Sequence, residues 1–310
     1  MASISTDVLI IGTGPAGSAM AALLSSYGVA NLVVNRYRWL ANTPRAHITN
    51  QRTMEVLRDL GADVEAEAYL HATPQDLMGQ NVFCTSLAGE ETITVRSRYL
   101  IGADGGNSLV AAHAGLPFEG SMGVAGSMNI LFKADLSRYV AHRPSVLYWV
   151  LQPGSNVGGI GMGLVRMIRP WHEWLIVWGY DIQQGEPAVD EAFAVKVVRD
   201  LVGVPDLPVD LQSVSTWTVN NQYATRLHNG RVFCMGDATH RHPPSNGLGS
   251  NTSIQDAFNV AWKMALVLKG QAGPALLESY TTERAPVARQ IVRRANQSIE
   301  EFGPIFKALG

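Results

Sequence analysis

The sequence predicts a two-part α/β protein, a parallel sheet interrupted by a mostly antiparallel insertion. Three observations predict it: a complete β-α-β pattern at the start of the chain, a change near Gly120 to alternating, Trp-rich segments, and a return at Val232 to a fully apolar strand. The parts divide as 1–118 for the first portion of the parallel domain, 119–221 for the insertion and 222–310 for the return and the C-terminal helices.

Asp7 to Ile11 reads D-V-L-I-I, an unbroken apolar run that suits a strand buried on both faces of a parallel sheet. G-T-G-P-A-G follows at Gly12 to Gly17, then an Ala/Leu-rich helix from Ser18 to Tyr27 stopped by Gly28, then a second strand from Leu32 to Val34. A helix beginning near Thr49 or Asn50 carries the stripe Met54, Leu57 and Leu60 and ends at Gly61. Asn81 to Ser86 is strand-like, and Thr92 to Ile101 is a strand running into G-A-D-G-G. Within the insertion, Val146 to Leu151 and Trp174 to Tyr180 alternate as antiparallel strands do, and Val189 to Val202 is helical. Val232 to Met235 is again an apolar strand, Ile254 to Leu268 an amphipathic helix, and a further long helix is kinked or started at Pro286.

Composition narrows the function classes. The chain has 310 residues, 46% hydrophobic and 16% charged, with a formal net charge of −2. Such a chain buries a sizeable core and offers no basic surface for nucleic acid. Cys84 and Cys234 are far apart and fit a reducing cytoplasm better than a disulfide framework. No leader-like flank and no apolar run long enough for a bilayer is seen, so the expectation is a cytoplasmic protein.

The glycines carry the first chemistry. Gly12 permits a tight turn after the strand, Gly14 lets a pyrophosphate approach the backbone, and Gly17 lets the helix pack closely on the sheet. The helix N-terminus then offers N–H groups and a partial positive charge to phosphates. This context makes a Rossmann-type dinucleotide site. The second strand ends in Asn35-Arg36, where an acidic residue is usual; Asn35 can bond a ribose hydroxyl and Arg36 a 2′-phosphate. FAD and NADP both remain open on this motif alone. Downstream, Gly236-Asp237 ends a buried strand, and the turn Gly247 to Asn251 presents N–H groups where a helix begins. Asp237 can accept from a polyol. His240 and His242 form an H-x-H pair without an evident third metal ligand, so no metal site is assigned.

The dinucleotide fingerprint at Gly12 to Gly17, the D-G pair at Asp104-Gly105, the G-D pair at Gly236-Asp237 and the stretch T-P-R-A-H-I-T-N-Q-R-T-M-E-V-L-R-D-L-G at Thr43 to Gly61 together resemble one family. It is the single-component FAD-dependent aromatic-ring monooxygenases with the para-hydroxybenzoate hydroxylase type of fold, and within it the phenol and chlorophenol hydroxylases. The resemblance implies a Rossmann-type FAD-binding domain with an inserted, mostly antiparallel substrate domain. It implies hydroxylation of a phenol to a catechol with NAD(P)H and dioxygen, through a flavin hydroperoxide. Gly12, Gly14 and Gly17 would hold the FAD pyrophosphate, with Pro15 and Ala16 beside it, and Asn35 and Arg36 would lie by the adenosine ribose. Arg45 would reach the pyrophosphate or the nicotinamide cofactor, and Asp104 would serve recognition of both nucleotides. Asp237 would hold the ribityl chain, Pro244 would line the flavin face, and the turn Gly247, Gly249, Ser250 and Asn251 would address the pyrimidine edge. His47 stands where the phenol hydroxylases place a carboxylate base; it is either the base or a hydrogen-bonded residue lining the site. The partners are then a phenolic small molecule and dioxygen, without nucleic acid or membrane, and a homo-oligomer is compatible with them.

Two departures temper that reading. The family has a longer chain between the first helical segment and the D-G pair, so Glu91-Thr92 joins two segments that are well separated in its members, and the expectation is a missing piece there. The chain also stops at Gly310, where family members continue. A non-catalytic FAD-binding remnant is the alternative of a different class. Another flavin enzyme of the same fold is a third; W-H-E-W-L-I at Trp171 lacks the lysine that a halogenase needs.

Overall fold

The computed structural model describes residues 3–36, 51–64, 66, 94–150, 152, 163–187 and 190–309. The opening unit is β1 (Ser3–Ile11), α1 (Pro15–Ser26) and β2 (Asn31–Val34), followed by α2 (Gln51–Leu60) and β3 (Thr94–Gly102). α1 begins at Pro15 rather than Ser18 because Gly14 serves as its N-cap and Pro15 supplies the first turn, where a missing N–H costs nothing. A short helix α3 (Leu109–His113) precedes the long strand β4 (Phe118–Lys133), and α4 (Ser137–Val140), β5 (Leu147–Val150), β6 (Gly163–Arg169), β7 (Glu173–Tyr180), α5 (Glu191–Val202) and β8 (Asp210–Ala224) follow. The chain closes with β9 (His228–Asn229), β10 (Val232–Cys234), β11 (His240–Arg241), α6 (Gly249–Leu268) and α7 (Ala275–Leu309).

Two sheets result. The first has the order β2-β1-β3-β10-β9, parallel except for the last pair. β3 enters between β1 and β10, so the strand that leads into Asp104 lies inside this sheet and not at its edge. Val8, Ile10, Met20, Leu23, Phe233, Val260, Met264 and Tyr280 pack in one cluster with no solvent exposure beyond 1%. Each such side chain contributes about 1.5–3 kcal/mol. Leu9 and Ile11 are only half-buried, against the expectation of a strand covered on both faces. They share a face with Leu100 and Gly102, where the short α3 packs against Gly102 and Cys234.

The second sheet has the order β11-β8-β4-β7-β6-β5 and is antiparallel throughout, as the alternating pattern predicts. α5 covers one face. Asp190 caps it by accepting from the Phe193 amide at 2.7 Å, and Gly203 ends it at φ +77°. Ala194, Val197, Val198 and Leu201 meet Met128, Ile130, Phe132, Trp174 and Ile176. The sheet overruns 119–221 at both ends, because β4 starts at Phe118 and β11 returns from the second half of the chain to pair with β8. β11 is two residues long, too short for any periodic pattern to announce. α7 starts at Ala275 and runs through Pro286 and Pro304, so Pro286 neither starts nor ends it.

Trp174 anchors the second core: it is fully buried, and its Nε1 donates to the carbonyls of Trp171 and Ala134 at 2.9 and 3.2 Å. Trp174→Ala should destabilise the protein by about 3–5 kcal/mol. A urea melt reads this, and an unchanged midpoint would show that the cluster does not depend on it.

Candidate functional site

Three sequence motifs lie at the C-terminal ends of three adjacent parallel strands. Ile11 is in register with Gly102, and Gly102 with Cys234, so Gly12, Ala103 and Met235 follow their strands at one level of the sheet. In open parallel sheets this edge is where ligands bind.

The glycine turn is shaped by its neighbours. Gly12 sits at φ +106°, and a Cβ there would lie 2.2 Å from the Ala103 carbonyl oxygen. A Cβ on Gly17 would lie 2.1 Å from the Gly12 carbonyl oxygen. Gly14 differs: among the described residues nothing lies within 4 Å of where its Cβ would be. Among the described residues its side of the turn is open in front of α1, which has no side-chain cap and no acidic residue in its first turn. A bare helix N-terminus facing open space suits a phosphate group. Pro15 is exposed and Ala16 buried in that same first turn.

The second-half motif comes to the same place. Gly236, at φ +63°, packs so closely that a Cβ would stand 3.0 Å from Ala16 Cβ and 2.9 Å from Ser253 Oγ. The next residue, Asp237, is exposed, and among the described residues its carboxylate has no hydrogen-bond partner; its carbonyl accepts from Arg241 Nε at 3.1 Å. α6 also lacks a side-chain cap and a first-turn acid. Its first intrahelical bond runs from the Thr252 amide to the Leu248 carbonyl, so the amides of Gly249 and Ser250 precede the ladder. Asn251 is buried; its Nδ2 donates to the Gly247 carbonyl at 2.9 Å and its Oδ1 accepts from Thr53 Oγ1 at 3.1 Å, tying α2 to the start of α6. Pro244 is exposed just ahead of this turn, and Asn246 and Gly247 both take positive φ. Two open helix starts, an exposed carboxylate between them and an open face at Gly14 fit a long ligand with a phosphate in one part and a polyol in another.

Other expected residues fall differently. Asn35 and Arg36 lie at the end of β2, half-buried and exposed respectively. Asp104 is committed to α3: its carboxylate accepts from Ser108 Oγ at 2.5 Å and from the Val110 amide at 3.1 Å. That is a helix-start role the D-G pair did not suggest. Arg45, His47, Cys84, the strand-like Asn81 to Ser86 and the Glu91-Thr92 join lie outside the described residues. Cys234 is buried, and burial pushes its thiol up to about 12. Among the described residues no cluster of histidine, cysteine and acidic side chains could hold a metal ion, and no helix is long and apolar enough to cross a membrane. A cleft of about 950 Å³ lies along α7 between Tyr223, Arg289 and Arg293 and approaches these motifs only at Leu248.

Sequence reasoning missed a buried polar cluster behind the site. Asp256 on α6 is 1% exposed. Its Oδ2 accepts from the Gly236 amide at 3.1 Å and from His240 Nε2 at 2.8 Å, and its Oδ1 accepts from Arg284 Nε at 2.7 Å. Burial alone would raise this carboxyl, but His240 and Arg284 outweigh it and hold it below its usual range. His242 donates from Nδ1 to the Pro243 carbonyl at 2.8 Å and stacks on His240, and burial, with His240 beside it, lowers its pKa. The H-x-H pair is thus engaged with the protein itself.

The sequence profile described as "FAD binding domain" matches residues 5–90 and 84–295, most of the chain. The chain belongs to the FAD-binding domain family. Its architecture is that of the family's monooxygenases, and its cofactor is FAD. The chain is 51% identical to 2,4-dichlorophenol 6-monooxygenase of Cupriavidus pinatubonensis (strain JMP 134 / LMG 1197), covering 99% of this chain and 64% of that protein. It is 45% identical to phenol 2-monooxygenase of Pseudomonas sp. (strain EST1001), covering 99% and 61%. Among solved structures, the flavin-dependent monooxygenase PieE in complex with FAD and substrate superposes with a TM-score of 0.81 at 35% identity, over 96% of this chain and 64% of that one. The chain therefore spans less than two thirds of the length of these relatives. The first alignment runs over 383 positions against 310 residues, so part of that relative lies opposite no residue of this chain. The two profile matches meet at 84–90, beside the Glu91-Thr92 join.

Proposed function

We propose that this chain holds FAD for the NAD(P)H-dependent hydroxylation of a phenol, with a chlorophenol as the substrate class. The observation that carries this is the 51% identity to a 2,4-dichlorophenol 6-monooxygenase over 99% of the chain, together with the convergence of its motifs on one sheet edge. Bound FAD supplies the redox chemistry that delivers one atom of dioxygen to the ring. The chain's own residues do the rest. The amides at the start of α1, with Gly12, Gly14, Pro15, Ala16 and Gly17, hold the pyrophosphate. Asn35 and Arg36 serve the adenosine ribose, and Arg45 the pyrophosphate or the nicotinamide cofactor. Asp104 contributes by shaping the D-G turn. Asp237 accepts from the ribityl hydroxyls, and Pro244, Gly247, Gly249, Ser250 and Asn251 form the wall and the donors at the pyrimidine edge. His47 takes the phenol proton, and the six-stranded sheet shields the substrate from water.

The test is bleaching of the yellow holoprotein by NADPH or NADH under air-free conditions, with and without a chlorophenol. Reduction that the phenol accelerates is the expected result. Flavin that neither nucleotide reduces would replace this reading with FAD binding without hydroxylation.

Asp237→Ala should weaken FAD retention by about 10–100-fold, the loss of hydrogen bonds to a charged acceptor being worth about 1.5–3 kcal/mol. Flavin content unchanged after gel filtration would remove Asp237 from the site.

A further inference from the structure

Asp256 does not face the open site, and both its oxygens are spent on the protein. Yet one of its three donors is the amide of Gly236, the residue before Asp237. We propose that Asp256 is a positioning residue for the cofactor, acting through that amide to fix where the Asp237 carboxylate stands. This rests on the reading of the chain as an FAD protein.

The turn needs such an anchor. β10 ends at Cys234, so the sheet gives the Gly236 amide no ladder partner, and a buried amide without an acceptor is strongly unfavourable. The left-handed φ of Gly236 directs that amide at α6, where Asp256 stands. The acceptor is charged, which shortens and strengthens the bond relative to a neutral one. Arg284 on α7 and His240 on β11 secure the carboxylate from two further elements, and Arg284 also reaches the Thr252 carbonyl at 3.5 Å. The other side of the turn is pinned as well: the fully buried Tyr280 donates its hydroxyl to the Cys234 carbonyl at 2.8 Å. Gly236 is thereby held between α1, α6 and α7, which fixes where the backbone of Asp237 leaves the turn. An asparagine at 256 would reproduce the volume but not the function. One end of its amide is a donor, and it would have to face a donor from Gly236, His240 or Arg284.

A bystander ion pair in the core would make the same contacts, so the experiment must separate positioning from stability. Apoprotein titrated with FAD, read by quenching of flavin fluorescence, gives the dissociation constant for the wild type, Asp256→Asn, Asp237→Ala and the double variant. Melting of each apoprotein is recorded in parallel. Asp256→Asn is expected to weaken FAD about tenfold in the wild-type background. With Asp237→Ala already present it should cost less than about threefold, because the carboxylate it positions is gone and coupled sites are not additive. His240→Ala, which removes one donor but leaves the Arg284 pair, should show the same coupling more weakly and serves if Asp256→Asn does not fold. Equal losses in both backgrounds, or a lower melting temperature with an unchanged dissociation constant, would overturn the positioning role. Wild-type apoprotein that takes up no FAD at all would overturn the reading beneath it.

Discussion

Gly17→Ala is expected to yield protein without flavin. The added methyl would fall 2.1 Å from the Gly12 carbonyl oxygen, 3.0 Å from its carbonyl carbon and 3.2 Å from Ala103 Cβ. The nearest of these are backbone atoms of a turn that is itself pinned, since Gly12 donates to the Val34 carbonyl at 2.8 Å and Ala103 to the Ile11 carbonyl at 2.8 Å. No rotamer change relieves the clash, so α1 must lift from the sheet and carry the phosphate-facing amides with it. Overpacking of this kind costs about 1–3 kcal/mol or more. Gly14→Ala is the informative partner. Its φ of −68° is ordinary and its Cβ would meet none of the described residues, so the apoprotein should melt as the wild type does. Under the proposed function the methyl would nevertheless stand where the pyrophosphate approaches, and FAD affinity should fall. Absorbance of bound flavin relative to protein, with thermal melts of both apoproteins, decides the matter. Equal behaviour of the two variants would mean that Gly14 does not face the cofactor.

Under the proposed function, His47→Ala should lower kcat/KM for hydroxylation by about 10²–10⁴-fold, the usual range for removing a general base. The sign of its pH dependence is definite. Below the pKa of the phenol, the substrate carries its proton and needs a base to become electron-rich. Above it, the substrate arrives ionised and the base is redundant. The defect should therefore be largest at low pH and shrink as pH rises. A variant whose profile parallels that of the wild type would show that His47 only lines the site.

The sheet edge was legible because its signals are local. An unbroken apolar run before G-T-G-P-A-G and another before G-D each announce a strand that ends at a ligand-facing turn, and no distant residue is needed to see it. Asp256 was not legible for the opposite reason. In Q-D-A-F-N it looks like any polar residue on an amphipathic helix, and its partner Arg284 lies 28 residues away on another helix. Only the packing of α6 against α7 turns the pair inward. Asp104 shows a third case: the D-G pair was visible, but the capping bonds to Ser108 and Val110 compete with a direct nucleotide role that the motif alone suggests.

β11 has a mechanical consequence out of proportion to its length. His240 and Arg241 are hydrogen-bonded to Tyr223 and Gln222 in the six-stranded sheet, the Ala224 amide donates to the Thr239 carbonyl at 2.7 Å, and His240 is at the same time bonded to Asp256 on α6. The segment that bears Asp237 is therefore a strap between the two sheets. Pulling either sheet open strains the same few bonds, so the sheets share an unfolding event, and amides in the strap exchange with solvent only when that larger unit opens. Under the proposed function, motion in the six-stranded sheet is then felt at Asp237, so the stiffness of one layer bears on how firmly the other holds its cofactor.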